Sequence, residues 1–300
     1  MSARKLAGRH FSQKQIYSGT GMHPDRYPRR VLLAAAGLSP QVITESVYAL
    51  AVKQQPPWVP TEIHLVTTAE GAERARLSLF APDQNWFNRL REEYELPEMR
   101  FDDGSIHVLH DSEGRLLSDI RSDSENMQAA DSITALVREL TADPASALHV
   151  SIAGGRKTMG FFLGYALSLY GRPQDRLSHV LVSAPFESHQ GFFYPTRQPR
   201  VIYTNPPDSR PLDTSRAEVT LAEIPFVRLR AWLPQSMLER NATFKASVEA
   251  AQRELGPPEL VIDLARRRIR AAGCVIELPP AEIAFLSLFA RLAHSSTPAV

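Results

Sequence analysis

The sequence has one cysteine, Cys274, in 300 residues. That excludes an internal disulfide framework and any zinc site built from clustered cysteines. No run of 18 apolar residues occurs, so no membrane-spanning helix is expected. Charge is nearly balanced: 34 Lys and Arg against 33 Asp and Glu leave a formal net charge of +1. No overall basic field draws in long nucleic acid, and a nucleotide partner would need a local pocket. The N-terminal stretch MSARKLAGRHFSQKQ is basic but lacks the apolar segment of a secretory signal. A cytoplasmic protein is the simplest expectation. Two phosphate-binding fingerprints are missing as well. The G-x-x-x-x-G-K-[ST] loop needs glycine directly before lysine, where this chain has Arg156. No G-x-G-x-x-G dinucleotide fingerprint stands in its place, and no cofactor is expected.

What is present is organised around Ala147 to Tyr170, ALHVSIAGGRKTMGFFLGYALSLY. Leu148 to Ile152 is β-rich and mostly apolar. Gly154-Gly155 breaks the run. Met159, Phe162, Leu163, Ala166, Leu169 and Tyr170 then recur at helical spacing. The unit reads as a buried strand, a glycine turn and a helix. A helix start leaves N–H groups unpaired and carries partial positive charge. Glycines let a ligand come close to the backbone. Arg156 can fork onto a phosphate, Lys157 adds a mobile charge and Thr158 a hydroxyl. The bland alternative is a solvated first turn. Against it, cations are unfavourable at a helix N-terminus, so two of them there suggest a bound anion.

Arg30 to Ala36 reads as a first strand without alternation, as in a parallel sheet covered on both faces. Gly37-Leu38-Ser39-Pro40 follows, with Ser39 expected as N-cap and Pro40 as the first helical residue. A helix is expected from Gln41 to Lys53, with Thr44 and Glu45 in its first turns. Thr61 to Thr67 is the second strand, Thr68 to Gly71 a turn, and Ala72 to Leu79 a helix. Ile106 to Leu109 is the third strand. His64 reads as a packed residue, and His107 and His110 lack the partners of a metal site. Asp119 to Asn126 is a polar stretch before a helix over Met127 to Leu140, and Arg121 and Asn126 on it are candidates to close over a ligand. Leu177 to Val182 is another strand. Phe192 to Pro195 and Val201 to Tyr203 read as a strand pair, and Glu218 to Ile224 alternates like a strand.

This order predicts an α/β fold with a doubly wound, mostly parallel Rossmann-like sheet. Ligands bind such sheets beyond the carboxyl ends of the strands, at a switch point. The turns at Gly37, Thr68 and Gly154 would share that edge. The chain then changes character, with an amphipathic helix over Leu233 to Leu255, strands at Leu260 to Leu264 and Gly273 to Leu278, and a helix after Pro279-Pro280. That order looks like the opening of a small α+β winged-helix module. The expected division is a flexible arm over 1–28, a ligand-binding domain over 29–226 and a winged-helix-like unit over 227–300.

Gly37-Leu38-Ser39-Pro40-Gln41-Val42-Ile43-Thr44-Glu45 and Ser151-Ile152-Ala153-Gly154-Gly155-Arg156-Lys157-Thr158-Met159 together resemble the CARF family, the CRISPR-associated Rossmann-fold sensors. Asp119-Ile120-Arg121, Arg176 to Val182 and Phe192 to Pro195 support the resemblance, which covers about residues 28–205. It implies a homodimer that binds a cyclic oligoadenylate, most plainly cyclic tetra-adenylate, across its two-fold axis. The implied ligand-binding residues are Gly37, Leu38, Ser39, Pro40, Gln41 and Thr44 in the first loop. Gly154, Gly155, Arg156, Lys157, Thr158 and Met159 follow in the second motif, and Thr67 and Thr68 join the candidates from the position of their turn on the expected rim. It also implies an effector nuclease. No R-x-x-x-x-H signature of a HEPN ribonuclease is present, since residues 291–294 read Arg-Leu-Ala-His. An effector is therefore expected outside this chain.

Three functions follow as expectations. The first is a sensor without catalysis. The second is a metal-independent ring nuclease that uses the ligand's own 2′-hydroxyl, with Lys157, Ser39 and Thr158 as candidates to stabilise charge and position the phosphate. The third is a ligand-gated DNA-binding regulator. It is disfavoured because the basic run Arg266-Arg267-Arg268-Arg270 falls between strands rather than on a recognition helix.

Overall fold

The computed structural model describes residues 23–187, 189–239, 242–255, 260–271 and 274–295. The chain forms two compact units that divide between Arg230 and Ala231. Most of the expected N-terminal arm, residues 1–22, lies outside the described residues. Residues 23–28 lie against the first unit. Trp58 donates its indole N–H to the Pro24 carbonyl at 3.3 Å, and Arg30 bonds the Tyr27 carbonyl at 2.7 Å.

The first unit is built on a six-stranded sheet. Its elements run β1 (Arg29–Ala35), α1 (Gln41–Tyr48), β2 (Glu62–Thr67), α2 (Ala69–Ala75), α3 (Trp86–Glu93), β3 (Ile106–Val108), α4 (Asp123–Leu140), β4 (Ser146–Ser151), α5 (Lys157–Tyr170) and β5 (Arg176–Val182). They end with the short pair β6 (Val201–Tyr203) and β7 (Pro211–Asp213), then β8 (Val219–Glu223). The sheet order is β3-β2-β1-β4-β5-β8, with β8 alone antiparallel. Parallel register places Leu33 beside His64 on one side and beside Val150 on the other. The chain builds outward from β1 through β2 to β3, then returns along α4 to β4. The boundary between β1 and β4 is therefore the switch point. Every residue of β2 and β4 is buried, and Val31 to Ala35 have essentially no exposure. Strands covered on both faces need no alternation, which is why these runs read as continuously apolar.

Two helical boundaries differ from the sequence expectation. α4 starts at Asp123, four residues early, because Ser122 and Glu125 form a reciprocal capping box. Such a cap is worth about 1 kcal/mol and draws the polar stretch into the helix. α2 starts at Ala69, because Thr68 accepts the Gly71 N–H and acts as N-cap rather than as part of a turn. Both α1 and α2 end in a wider π-helical turn, over Ala49–Lys53 and Arg76–Phe80.

The expected pairing of Phe192–Pro195 with Val201–Tyr203 is not formed. β6 pairs with β7 instead. Phe192, Phe193 and Tyr194 are buried in a segment without strand structure. Phe193 stacks on Trp86 with ring centroids 4.8 Å apart, and Arg200 lies 4.1 Å above the same indole. Tyr94 donates to the Pro195 carbonyl at 2.6 Å. Aromatic anchoring on α3 outweighs the β-propensity of these side chains.

In the second unit, α6 (Gln235–Glu239) and α7 (Phe244–Leu255) replace the single helix expected over Leu233 to Leu255. Thr243 starts the second helix by accepting the Ala246 N–H at 3.2 Å. β9 (Leu260–Asp263), β10 (Arg268–Ala271) and β11 (Cys274–Glu277) form an antiparallel sheet, followed by α8 (Pro280–Ser295). Arg266 and Arg267 occupy the β9–β10 turn. Arg268 is paired with Glu277.

Candidate functional site

The loop after β4 is shaped by two glycines. A Cβ on Gly154 would stand 2.7 Å from the Ala35 carbonyl and 3.1 Å from Val42, so only glycine lets the β4 loop touch β1 and α1. Gly155 has φ +81°, the left-handed region that favours glycine. Arg156 then takes the N-cap position of α5 without any side-chain cap. Met159 bonds back to the Arg156 carbonyl at 2.9 Å. The N–H groups of Gly155, Arg156, Lys157 and Thr158 find no acceptor among the described residues. They sit at the positive end of a 14-residue helix. Lys157 and Thr158 are exposed. Neither side chain has a partner among the described residues.

The loop after β1 meets this turn. Gly37 and Gly155 come so close that a Cβ on the first would lie 3.6 Å from the Cα of the second. Ser39 does not cap α1, contrary to expectation. Pro40 holds the N-cap position with φ −69° and ψ −7°, and the Ile43 N–H bonds its carbonyl at 3.1 Å. The turn is thus closed one residue later than the sequence suggests. The Ser39 hydroxyl is left exposed and without a partner among the described residues. Leu38 beside it is 64% exposed.

Other candidates build the rim rather than face it. Thr44 is fully buried and bonds the Gln41 carbonyl at 2.9 Å. Met159 is buried, with its sulfur lying under Gly155. Thr68 caps α2, and Thr67 is fully buried with a hydroxyl that has no hydrogen-bond partner among the described residues. The end of β2 is tied to the β1 loop by the Ala36 N–H to Val66 carbonyl bond of 3.1 Å.

Of the segment before α4, Asp119 matters more than the residues singled out from sequence. Its carboxylate accepts from Arg156 Nε at 2.8 Å, makes a second contact with Arg156 Nη2, and accepts from Arg121 Nε at 3.2 Å. The bonds from Arg156 hold its carboxyl well below the usual carboxylate range. Arg121 therefore joins the rim through Asp119. Asn126 lies in the first turns of α4, not in a loop.

Gln41, Glu45 and Tyr48 form a further stripe on α1. The segment after β5 lies over its first turn, where Gln41 Nε2 donates to the Gln190 carbonyl at 3.0 Å. The Gln41 Oε1 is buried and unpaired among the described residues. Glu45 is 8% exposed and has no partner among the described residues. Burial, and then the charge of Glu187, pushes its carboxyl up to about 8. Sequence reasoning places Glu45 on the right helix but gives no signal that it is buried. That depends on the residues after β5.

His64 and His107 face each other across β2 and β3. His64 Nδ1 and His107 Nε2 share a 2.7 Å hydrogen bond, and burial lowers both pKa values. No group of three metal-ligating side chains occurs among the described residues. Toward the amino ends of β4 and β5, His149 lies in a cleft with Trp58, Arg176 and Glu223. It bonds Ser178 Oγ at 2.7 Å, and burial pushes its pKa down to about 3.

The structure is that of a doubly wound α/β protein whose switch-point rim carries an uncapped helix start over two glycines, with Lys157, Thr158 and Ser39 unengaged among the described residues. Residues 39–257 match the family described as CRISPR-associated protein NE0113, and the chain belongs to that CRISPR-associated family. No curated protein matches the chain. No helix among the described residues is long and apolar enough to cross a membrane.

Proposed function

We propose that the protein is a sensor of CRISPR defence that binds a cyclic oligoadenylate, cyclic tetra-adenylate first, and regulates an effector nuclease outside this chain. One observation carries the reading. Four backbone N–H groups, the Lys157 ammonium and the Ser39 hydroxyl, all without partners among the described residues, lie on the two loops that meet at Gly37 and Gly155. That array suits phosphodiester oxygens, and it concentrates positive charge in a chain whose net charge is +1. Membership of a CRISPR-associated family supports the setting.

A ring ligand with repeated phosphates calls for repeated nests, which a two-fold dimer supplies. The outward face of α5 supports such pairing. Phe161, one turn beyond Lys157, is 60% exposed and lies 5.6 Å from the Tyr165 ring.

The unengaged hydroxyls of Ser39 and Thr158 favour a second reading, ring cleavage by the ligand's own 2′-hydroxyl. In it these groups and Lys157 hold the phosphate in line and stabilise developing charge. Incubation with cyclic tetra-adenylate in chelator, followed by mass-resolved chromatography, separates the two. Intact ring with a raised melting temperature supports the sensor. Linear di-adenylate ending in a 2′,3′-cyclic phosphate supports the nuclease. No thermal shift and no product with cyclic tri-, tetra- or hexa-adenylate overturns both.

A further inference from the structure

The first turns of α1 contain two buried polar groups that the fold leaves unused. Gln41 is 9% and Glu45 8% exposed. They are four residues apart, so they stack on one helical face. Gln41 spends its amide N–H on the Gln190 carbonyl, which fixes the orientation of the amide and leaves Oε1 as an acceptor without a donor. Glu45 has no hydrogen bond and no cation within ion-pair distance among the described residues. Its nearest charged influence is another carboxylate, Glu187. Buried polar atoms are almost always paired, and each orphan costs roughly 1–3 kcal/mol. Only three buried side-chain atoms without a partner occur among the described residues, and two of them, on Gln41 and Thr67, belong to the carboxyl-end rim.

We propose that Gln41 and Glu45 form a base-recognition subsite of this rim, selective for the six-amino edge of adenine. The inference rests on the nucleotide-binding reading above and assigns its base specificity. The chemistry is that of donors and acceptors. A neutral carboxyl offers one O–H donor and one carbonyl acceptor side by side. Adenine offers the complement, the N1 acceptor beside the N6 amino donor. Glu45 donates to N1 and accepts one N6 hydrogen, and Gln41 Oε1 accepts the other. Burial and the neighbouring Glu187 keep Glu45 in the protonated form this pattern needs.

The same arrangement rejects a six-oxo base. Hypoxanthine and guanine place an oxygen where adenine has its amino group. That oxygen faces Gln41 Oε1, and the amide cannot turn over without giving up its bond to Gln190. Two acceptors then meet in a buried site, where an unmet polar group is costly. Phosphate contacts at Gly155 to Thr158 hold the ring without reading its sequence, so discrimination must come from groups of this kind.

The test compares cyclic tetra-adenylate with cyclic tetra-inosinate by calorimetry on wild type, Glu45→Gln, Glu45→Leu and Gln41→Leu. Wild type binds the adenylate ring at least about tenfold more tightly. Glu45→Gln retains a donor beside an acceptor and keeps that ratio within about threefold. Glu45→Leu removes an unpaired buried acid, so it folds; it loses about tenfold in affinity for either ring, because a neutral carboxyl can pair with both bases, and its ratio holds because Gln41 Oε1 is unchanged. Gln41→Leu removes the acceptor that faces the six-position, so its ratio falls to near one. Equal binding of both rings by wild type, undiminished discrimination in Gln41→Leu, or unchanged affinity in Glu45→Leu overturns the subsite and leaves the sensor reading standing. Binding of neither ring by wild type overturns both.

Discussion

Arg156 at the start of α5 is tied to Asp119 in the segment before α4, with 2.8 Å between Arg156 Nε and Asp119 Oδ1 and a second contact through Nη2. One of the two cations at the helix start thus has its counter-ion within the protein, and Lys157 has none among the described residues. An arginine with a resident carboxylate is a guarded anion site: a phosphate must compete with Asp119 for it. Asp119→Asn removes the competitor. It should tighten binding of cyclic tetra-adenylate by about three- to tenfold and steepen its salt dependence. Calorimetry at two ionic strengths measures both, and weaker binding would show that Asp119 orders the rim rather than guards it.

Lys157 supplies charge and no packing, since it is exposed and unpaired among the described residues. Lys157→Ala should weaken binding by about tenfold or more and Lys157→Glu should abolish it. The melting temperature should move by less than about 2 °C, as for other surface changes. A fall in stability that matches the fall in affinity would instead assign the lysine a structural role.

Glu45 makes stability depend on pH. Its unfolded pKa is about 4.3, whereas burial raises the folded value to about 8. Between those values the folded state holds the extra proton, so stability falls as pH rises through the window. Each unit costs up to about 1.4 kcal/mol, and the whole window a few kcal/mol at most. Glu45→Gln cannot ionise. Urea unfolding at pH 5.5 and pH 9 should show wild type losing stability relative to Glu45→Gln, and parallel curves would contradict the buried neutral acid.

Four glycines near α5 separate close approach from helix propensity. Gly154→Ala forces a Cβ to 2.7 Å from the Ala35 carbonyl and should cost about 1–3 kcal/mol. Gly155→Ala meets the strain of φ +81°. Gly160 and Gly164 lie within α5, where an added Cβ makes only ordinary contacts at 3.5 and 3.6 Å. Alanine there should be neutral or stabilise by up to about 1 kcal/mol. Denaturant titrations of the four variants test this, and equal costs would contradict the close approach.

The sheet could be read from the sequence because its strands are buried on both faces. Runs such as Arg30 to Ala36 and Leu148 to Ile152 have no other easy home. The glycine turns followed from the same logic, since a strand that ends in Gly154-Gly155 before a helical repeat has few alternatives. Contacts set by distant residues were not readable. Nothing around Asp119 announces Arg156, 37 positions away. Nothing around Glu45 announces that the segment after β5 lies over α1. Phe192 to Tyr194 carry strong β-propensity, yet Trp86 and Tyr94 anchor them outside any strand. Their density of aromatics was the available signal, and it marked an anchor rather than a strand.

The most direct measurement is a calorimetric titration of cyclic tetra-adenylate into the wild-type protein, with Lys157→Glu as control. Saturable binding at one ring per two chains is expected, lost in the variant. No binding of cyclic tri-, tetra- or hexa-adenylate, or equal binding by Lys157→Glu, would contradict it.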